Sequence, residues 1–360
     1  MTPRQIFSAT ALLLAIPFIG CGGGSSTKGS GSSDGGGTTN MYMAGDTTNA
    51  SGTYIATQWK NGTATNLTDG TSNADAYAIT VDGNANIYVA GDTSNASGTY
   101  VATVWKNGAA TSLTDGTSNA DGNAIAIDSS GNVYVAGYTT SASGKYVATY
   151  WKNGTATNLT DGTSDADAYG IAVDSSGNVI VAGDTTSASG KYVATYWKNG
   201  TATNLTDGTS DADAYAIAVD SNGNVIVAGD TTNASGTYIA TQWKNGTATN
   251  LTDGTSNADA YAIAVDSSGS VYVAGDTTDA SGTSIATQWK NGTATNLTDG
   301  TSYADANAIA VDDSGNAYVG GDTTSASNYS VATYWKNGTP TNLTDGTTDA
   351  AVFGMLLSTK

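Results

Sequence analysis

The chain has 360 residues, of which 31 are acidic and 12 basic, for a formal net charge of −19. Every acidic residue is Asp; there is no His and no Glu, Arg4 is the only Arg and Cys21 the only Cys. Serine-protease triads, thiol nucleophiles, His- or Cys-bound zinc and Glu-based acid–base pairs are thereby excluded in their usual forms.

Residues 1–20 read as an address. Arg4 gives a charged start, Ile6 to Ile19 an apolar run, and Gly20 a small residue before Cys21, the pattern of a secretory signal too short to be a membrane span. Ending on Gly20-Cys21, the segment resembles a bacterial lipobox. That resemblance implies a lipidated Cys21 as first mature residue and a membrane partner reached through the lipid. Gly22 is not the Asp of an inner-membrane retention signal, so the expected location is the outer membrane or cell surface. Residues 21–40 carry Gly, Ser and Thr with no core-forming side chains, and predict a flexible tether with a reach of roughly 25 Å.

From residue 41 to 360 the tetrad Trp-Lys-Asn-Gly recurs every 46 residues, at Trp59, Trp105, Trp151, Trp197, Trp243, Trp289 and Trp335. A typical unit runs from Ala212 to Asp220, Asn224 to Asp230, Tyr238 to Lys244 and Thr247 to Thr252. These are four short runs rich in Val, Ile, Tyr, Thr and Trp, separated by turn residues. Asn245-Gly246 signals a two-residue hairpin, because both positions need positive φ. Each unit reads as a four-stranded antiparallel sheet whose faces need neighbours. The array opens on a second strand at Met41 and ends, at Ala350 to Leu357, on the missing first one. We therefore expect an all-β, seven-bladed β-propeller whose C-terminal strand joins the N-terminal blade.

Segments such as Ile171-Ala-Val-Asp-Ser-Ser-Gly-Asn-Val-Ile-Val-Ala-Gly183 resemble the NHL-like repeats of bacterial propellers, over residues 41 to 358. The resemblance implies the propeller fold, which serves binding, scaffolding and catalytic proteins alike. NHL-like lyases that cut cyclic substrates are expected to use His, which this chain does not have.

Propeller topology predicts an acidic upper face and a neutral lower one. The loops joining second to third strands are expected to hold Asp46, Asp92, Asp184, Asp230, Asp276 and Asp322, with Tyr138 in the remaining blade. Those joining one blade to the next are expected to hold the series from Asp69 and from Asp75, opposed only by Lys145 and Lys191. Such a face repels nucleic acid and anionic lipid and attracts cations or basic segments. In the blade-connecting loops, Asp161, Asp165 and Asp167, and likewise Asp207, Asp211 and Asp213, have oxygen-ligand spacing that could wrap Ca²⁺, against the plainer reading of turn chemistry. No other cofactor is expected. Tyr77, Asn123, Tyr169, Tyr215, Tyr261, Asn307 and Phe353 head the inner strands. Their aromatic members, Tyr77, Tyr169, Tyr215, Tyr261 and Phe353, are candidate ligand contacts for a cationic or polyhydroxylated molecule, or else channel filler. The tryptophans read as inter-blade packing. Asn-Gly-Thr and Asn-Leu-Thr match glycosylation acceptors but read more simply as turn and strand chemistry.

No blade stands out as a catalytic cluster. The leading expectation is a monomeric, lipid-anchored binding or scaffold protein of the cell envelope, offering a multivalent acidic face to a basic protein segment or a glycan. An Asp/Asn-based metal-dependent lactonase or lyase, and a structural spacer, are the alternatives.

Overall fold

The computed structural model describes residues 39–359; Cys21, the signal segment and most of the tether lie outside them. Among the described residues there are 28 β-strands and no helix. They form seven four-stranded antiparallel sheets. Blades 2 to 7 are each continuous in sequence, with inner strands at Ala74–Val81, Ala120–Ile127, Ala166–Val173, Ala212–Val219, Ala258–Val265 and Ala304–Val311. Blade 1 takes its inner strand, Ala350–Thr359, from the C-terminus and pairs it with Thr39–Thr48, followed by Tyr54–Lys60 and Thr63–Asn66. The expected closure is therefore present. Thr39 and Asn40, assigned to the tether on composition, belong to that strand.

Small residues let the blades approach. Ala212, Ala214 and Ile217 of blade 5 share one apolar cluster with Ala172, Ile180, Ala182 and Ala194 of blade 4, and Trp243 joins them. All seven tryptophans are at most 1% exposed, so they supply inter-blade burial and offer no face to ligand. The outermost strands, such as Thr247–Asn250, are four residues long and exposed throughout. Such short polar edges resist edge-to-edge association.

The Asn-Gly turns form as the sequence predicts: φ is 49° at Asn245 and 82° at Gly246. Asn245 Oδ1 accepts from the Val225 amide at 2.9 Å, and its Nδ2 donates to Asn224 Oδ1 at 2.8 Å. With both ends of the amide engaged, the Asn-Gly-Thr triplet is explained as turn chemistry. On the lower face, Lys106, Lys152 and Lys290 lie 4.8–5.0 Å from the ring centres of Tyr88, Tyr134 and Tyr272. Where Ile180 and Ile226 replace that Tyr, Lys198 and Lys244 turn to Asp174 and Asp220 instead, at 4.0 and 3.7 Å. The lower charges are thus spent locally.

Candidate functional site at the channel mouth

The inner strands of blades 2 to 7 begin with Ala-Asp and that of blade 1 with Ala350-Ala351, and each is interrupted three residues in. In blade 4, Ala168 pairs with Gly183 and Gly170 with Ala182, leaving Tyr169 as the extra residue of a β-bulge. The same shift isolates Tyr77, Asn123, Tyr215, Tyr261, Asn307 and Phe353. Bulges re-aim side chains, and here they gather the aromatic series. Tyr169 and Tyr215 rings are 5.8 Å apart, Tyr215 and Tyr261 5.7 Å, and Tyr77 and Phe353 6.0 Å. Tyr169, Tyr215 and Phe353 are buried, Tyr77 and Tyr261 half-buried. These candidates do come together, but as a packed ring more than an open rim.

The carboxylates require a correction. Asp46, Asp92, Asp184, Asp230, Asp276 and Asp322 do not sit in loops; they lie inside the second strands and are at most 9% exposed. The register sets like against like: Asp75 opposite Asp92, Asp167 opposite Asp184, Asp213 opposite Asp230, Asp259 opposite Asp276 and Asp305 opposite Asp322. The tyrosines of the bulge serve them. The Tyr77 hydroxyl donates to Asp92 Oδ2 and that of Tyr169 to Asp184 Oδ2, both at 2.9 Å. Carboxyls also meet across blade boundaries, Asp184 with Asp213 and Asp230 with Asp259. Ser284 Oγ contacts both Asp276 and, at 2.9 Å, Asp305.

Burial, followed by the neighbouring carboxylates, pushes Asp46, Asp184 and Asp230 well above the usual carboxylate range. Burial likewise raises Asp276 to about 8, and Asp167 and Asp322 to about 7. The interior ring therefore carries protons at neutral pH, and the upper face is less negative than its sequence suggests. The outer series behaves oppositely. Hydrogen bonds from Thr163 to the exposed Asp161, and from Thr209 to the exposed Asp207, hold those carboxyls below the usual range.

Stability should follow these two groups. The interior carboxyls keep a proton in the folded chain that the unfolded chain releases above about pH 4. Their contribution is complete below that pH and is lost as pH rises through 7 and 8. The Asp161 series contributes above about pH 4 and loses its contribution as pH falls further. A pKa difference of one is about 1.4 kcal/mol, so the melting temperature should be highest near pH 4–5 and fall by about 5 °C or more by pH 8. Scanning calorimetry reads this directly, and a melting temperature that rises from pH 5 to 8 contradicts the protonated ring.

The candidate calcium loops do not converge. Asp161 Oδ1 accepts from the Thr163 amide and hydroxyl. Asp165 takes the Lys145 ammonium at 2.8 Å and the Tyr146 amide at 2.9 Å, while Asp167 faces Asp184 in the interior. Asp207, Asp211 and Asp213 repeat this division, with Lys191 on Asp211. Among the described residues no group of three or more His, Cys, Asp or Glu is placed to hold a metal ion. Millimolar Ca²⁺ should accordingly leave the melting temperature unchanged; a saturable increase would restore the calcium reading.

A cavity of about 360 Å³ opens over blades 1 to 4, with Asp46, Asp75, Asp92, Asp121 and Asp167 as its acidic wall. Its aromatic wall comprises Tyr54, Tyr77, Tyr100, Tyr138, Tyr146, Tyr169 and Phe353, with Asn123 between them. Tyr138 and Tyr146 rings lie 4.5 Å apart. Three of these tyrosines, Tyr54, Tyr100 and Tyr146, open the third strands of blades 1 to 3. Blades 4 and 5 carry Tyr192 and Tyr238 at the same position, and blades 6 and 7 carry Ser284 and Ser330, a recurrence that sequence alone does not separate from strand propensity.

The beta-propeller repeat family (SBBP) matches residues 113–145 and 297–329. No characterised protein sequence matches the chain. Among solved structures, a puromycin-hydrolyzing peptidase of Mycobacterium tuberculosis is 11% identical with a TM-score of 0.57, over 84% of this chain and 51% of the peptidase. An acylaminoacyl peptidase of Pyrococcus horikoshii is 14% identical with a TM-score of 0.52, over 85% and 51%. The chain spans about half the length of these peptidases, and at such identity the likeness is one of fold alone. Strand order and ring closure make the chain a seven-bladed β-propeller, and two of its stretches match the beta-propeller repeat family.

Proposed function

We propose that this propeller is a lipid-anchored binding protein of the bacterial cell envelope, held through Cys21 at the outer membrane or cell surface. Its ligand site is the acidic, aromatic mouth over blades 1 to 4. The observation that carries this reading is the cavity itself. The repeat departs from its pattern at Asn123 and Tyr138, and the cavity there is lined by carboxyls and rings. Cavities of this kind, apolar with a few convergent polar groups, are where proteins take small molecules or the tip of a larger partner. The propeller fold serves binding, scaffolding and catalytic proteins alike, and the binding reading rests on the cavity's acidic and aromatic lining.

Two variants of the full chain test the reading. Cys21→Ser should move the protein from the membrane to the soluble envelope fraction. Asn123→Tyr, which fills the cavity with the residue that blades 2, 4, 5 and 6 carry at that position, should lose ligands that the wild-type chain retains from native envelope extract. Unchanged fractionation removes the anchor, and unchanged capture by a folded Asn123→Tyr variant removes the site.

A further inference from the structure

The cavity lies where the repeat is least faithful. Blade 3 carries Gly122, Asn123 and Tyr138 where blades 2, 4, 5 and 6 carry Ala, Tyr and Asp. Asn123 leaves a gap in the aromatic ring and turns its Nδ2 to the Ala168 carbonyl at 3.1 Å. Tyr138 occupies the place of the carboxyl that Asp167 would otherwise face across the blade boundary, as Asp213 faces Asp184. One blade therefore exchanges an acid for a ring and a ring for space. Blade 7 supplies the comparison. It also carries Asn, at Asn307, whose Nδ2 donates to the Val352 carbonyl at 3.2 Å, but it keeps Asp322, and neither residue lines the cavity.

We propose that this cavity binds a small organic ammonium ion. No Lys is among its lining residues, and Lys145 at the rim is held by Asp165 at 2.8 Å. A cation entering it meets carboxyls, most ionised above neutral pH, and the rings of Tyr138 and Tyr146 together, the combination that recognises ammonium groups. The volume, about 360 Å³, lies at the small end of the range of about 300–1,000 Å³ for small-molecule sites. This inference rests on the binding reading above and narrows it to one ligand class.

The test is calorimetric titration of the purified full chain at low salt and pH 8, where the lining acids are most ionised. The probes are choline, 1,4-diaminobutane and 3,3-dimethyl-1-butanol, the uncharged carbon isostere of choline. Saturable binding of at least one ammonium compound is expected, with the isostere at least tenfold weaker. Asn123→Tyr should reduce that affinity at least tenfold, and Asn307→Tyr should leave it unchanged. Tyr146→Ala, at a side chain already 40% exposed, should weaken it severalfold even if Asn123→Tyr folds poorly. Equal binding of the isostere, no saturation by either cation at millimolar concentration, or full affinity in Tyr146→Ala overturns the proposal. If envelope capture is still lost in Asn123→Tyr, only the ligand class has failed; if capture is unchanged, the site itself has.

Discussion

Removal of residues 350–360 should abolish cooperative folding. The strand Ala350–Thr359 is the inner strand of blade 1, in register with Thr39 through Thr47. It buries Val352, Met355 and Leu357 in a cluster with Ala308, Ala310 and Ala332 of blade 7. On its other side Leu356 packs with Tyr42 and with Ile79, Val89 and Trp105 of blade 2. Phe353 is buried as well. Each such side chain contributes roughly 1.5–3 kcal/mol on burial. Five together are on the order of 10 kcal/mol, comparable with the whole stability of a typical domain, about 5–15 kcal/mol. The loss also strips the hydrogen-bonded edge of Thr39–Thr48, so two blades lose their neighbour at once. A truncated chain should show no cooperative thermal transition. One that melts at the wild-type temperature would contradict closure by this strand.

The second large effect is expected from a single methyl group. Gly183 lies opposite the bulge of blade 4, and a Cβ there would stand 1.9 Å from the Asp167 carbonyl oxygen. That obstacle is backbone and cannot rotate away, so the strand must shift and carry Asp167 and Tyr169 with it. Gly183→Ala should cost about 3 kcal/mol or more, the upper part of the range for overpacking. Gly177, six residues earlier, provides the contrast. It sits in an exposed turn at φ 79°, and a Cβ there would meet nothing within 4 Å. Gly177→Ala should cost only about 1 kcal/mol, from the left-handed backbone alone. Denaturant unfolding of the two variants separates them, and equal losses would mean that the bulge tolerates a side chain.

These two sites show what a sequence of near-copies makes legible. The tryptophan period, the Asn-Gly turns and the orphan strands at the two ends are local or periodic features. They lead to seven blades and a closed ring without any knowledge of packing. The bulge is different. It adds no residue to the period, and its only local trace is Gly45, Gly91, Gly137, Gly183, Gly229, Gly275 and Gly321 inside strands, a sign of close backbone approach. Burial of Asp46, Asp92 and Asp184 was illegible for a related reason. A carboxylate near a strand end reads as solvated; what lets Asp184 be buried is the Tyr169 hydroxyl from the bulge of its own blade and the Asp213 carboxyl from the next one. Asn123 and Tyr138 were visible as departures from the repeat. That they share one cavity with Tyr100 and Tyr146 is a matter of tertiary placement.

The account's central claim is that ligand enters one side of a nearly symmetric ring. Tyr146 and Tyr238 are equivalent positions, both opening third strands and similarly exposed at 40% and 38%, but only Tyr146 lines the cavity. A photo-crosslinking phenylalanine placed at each position in turn, irradiated with native envelope extract, tests the claim most directly. The account predicts a defined adduct from position 146 and none from position 238. Adducts of equal yield from both positions, or from 238 alone, would contradict it.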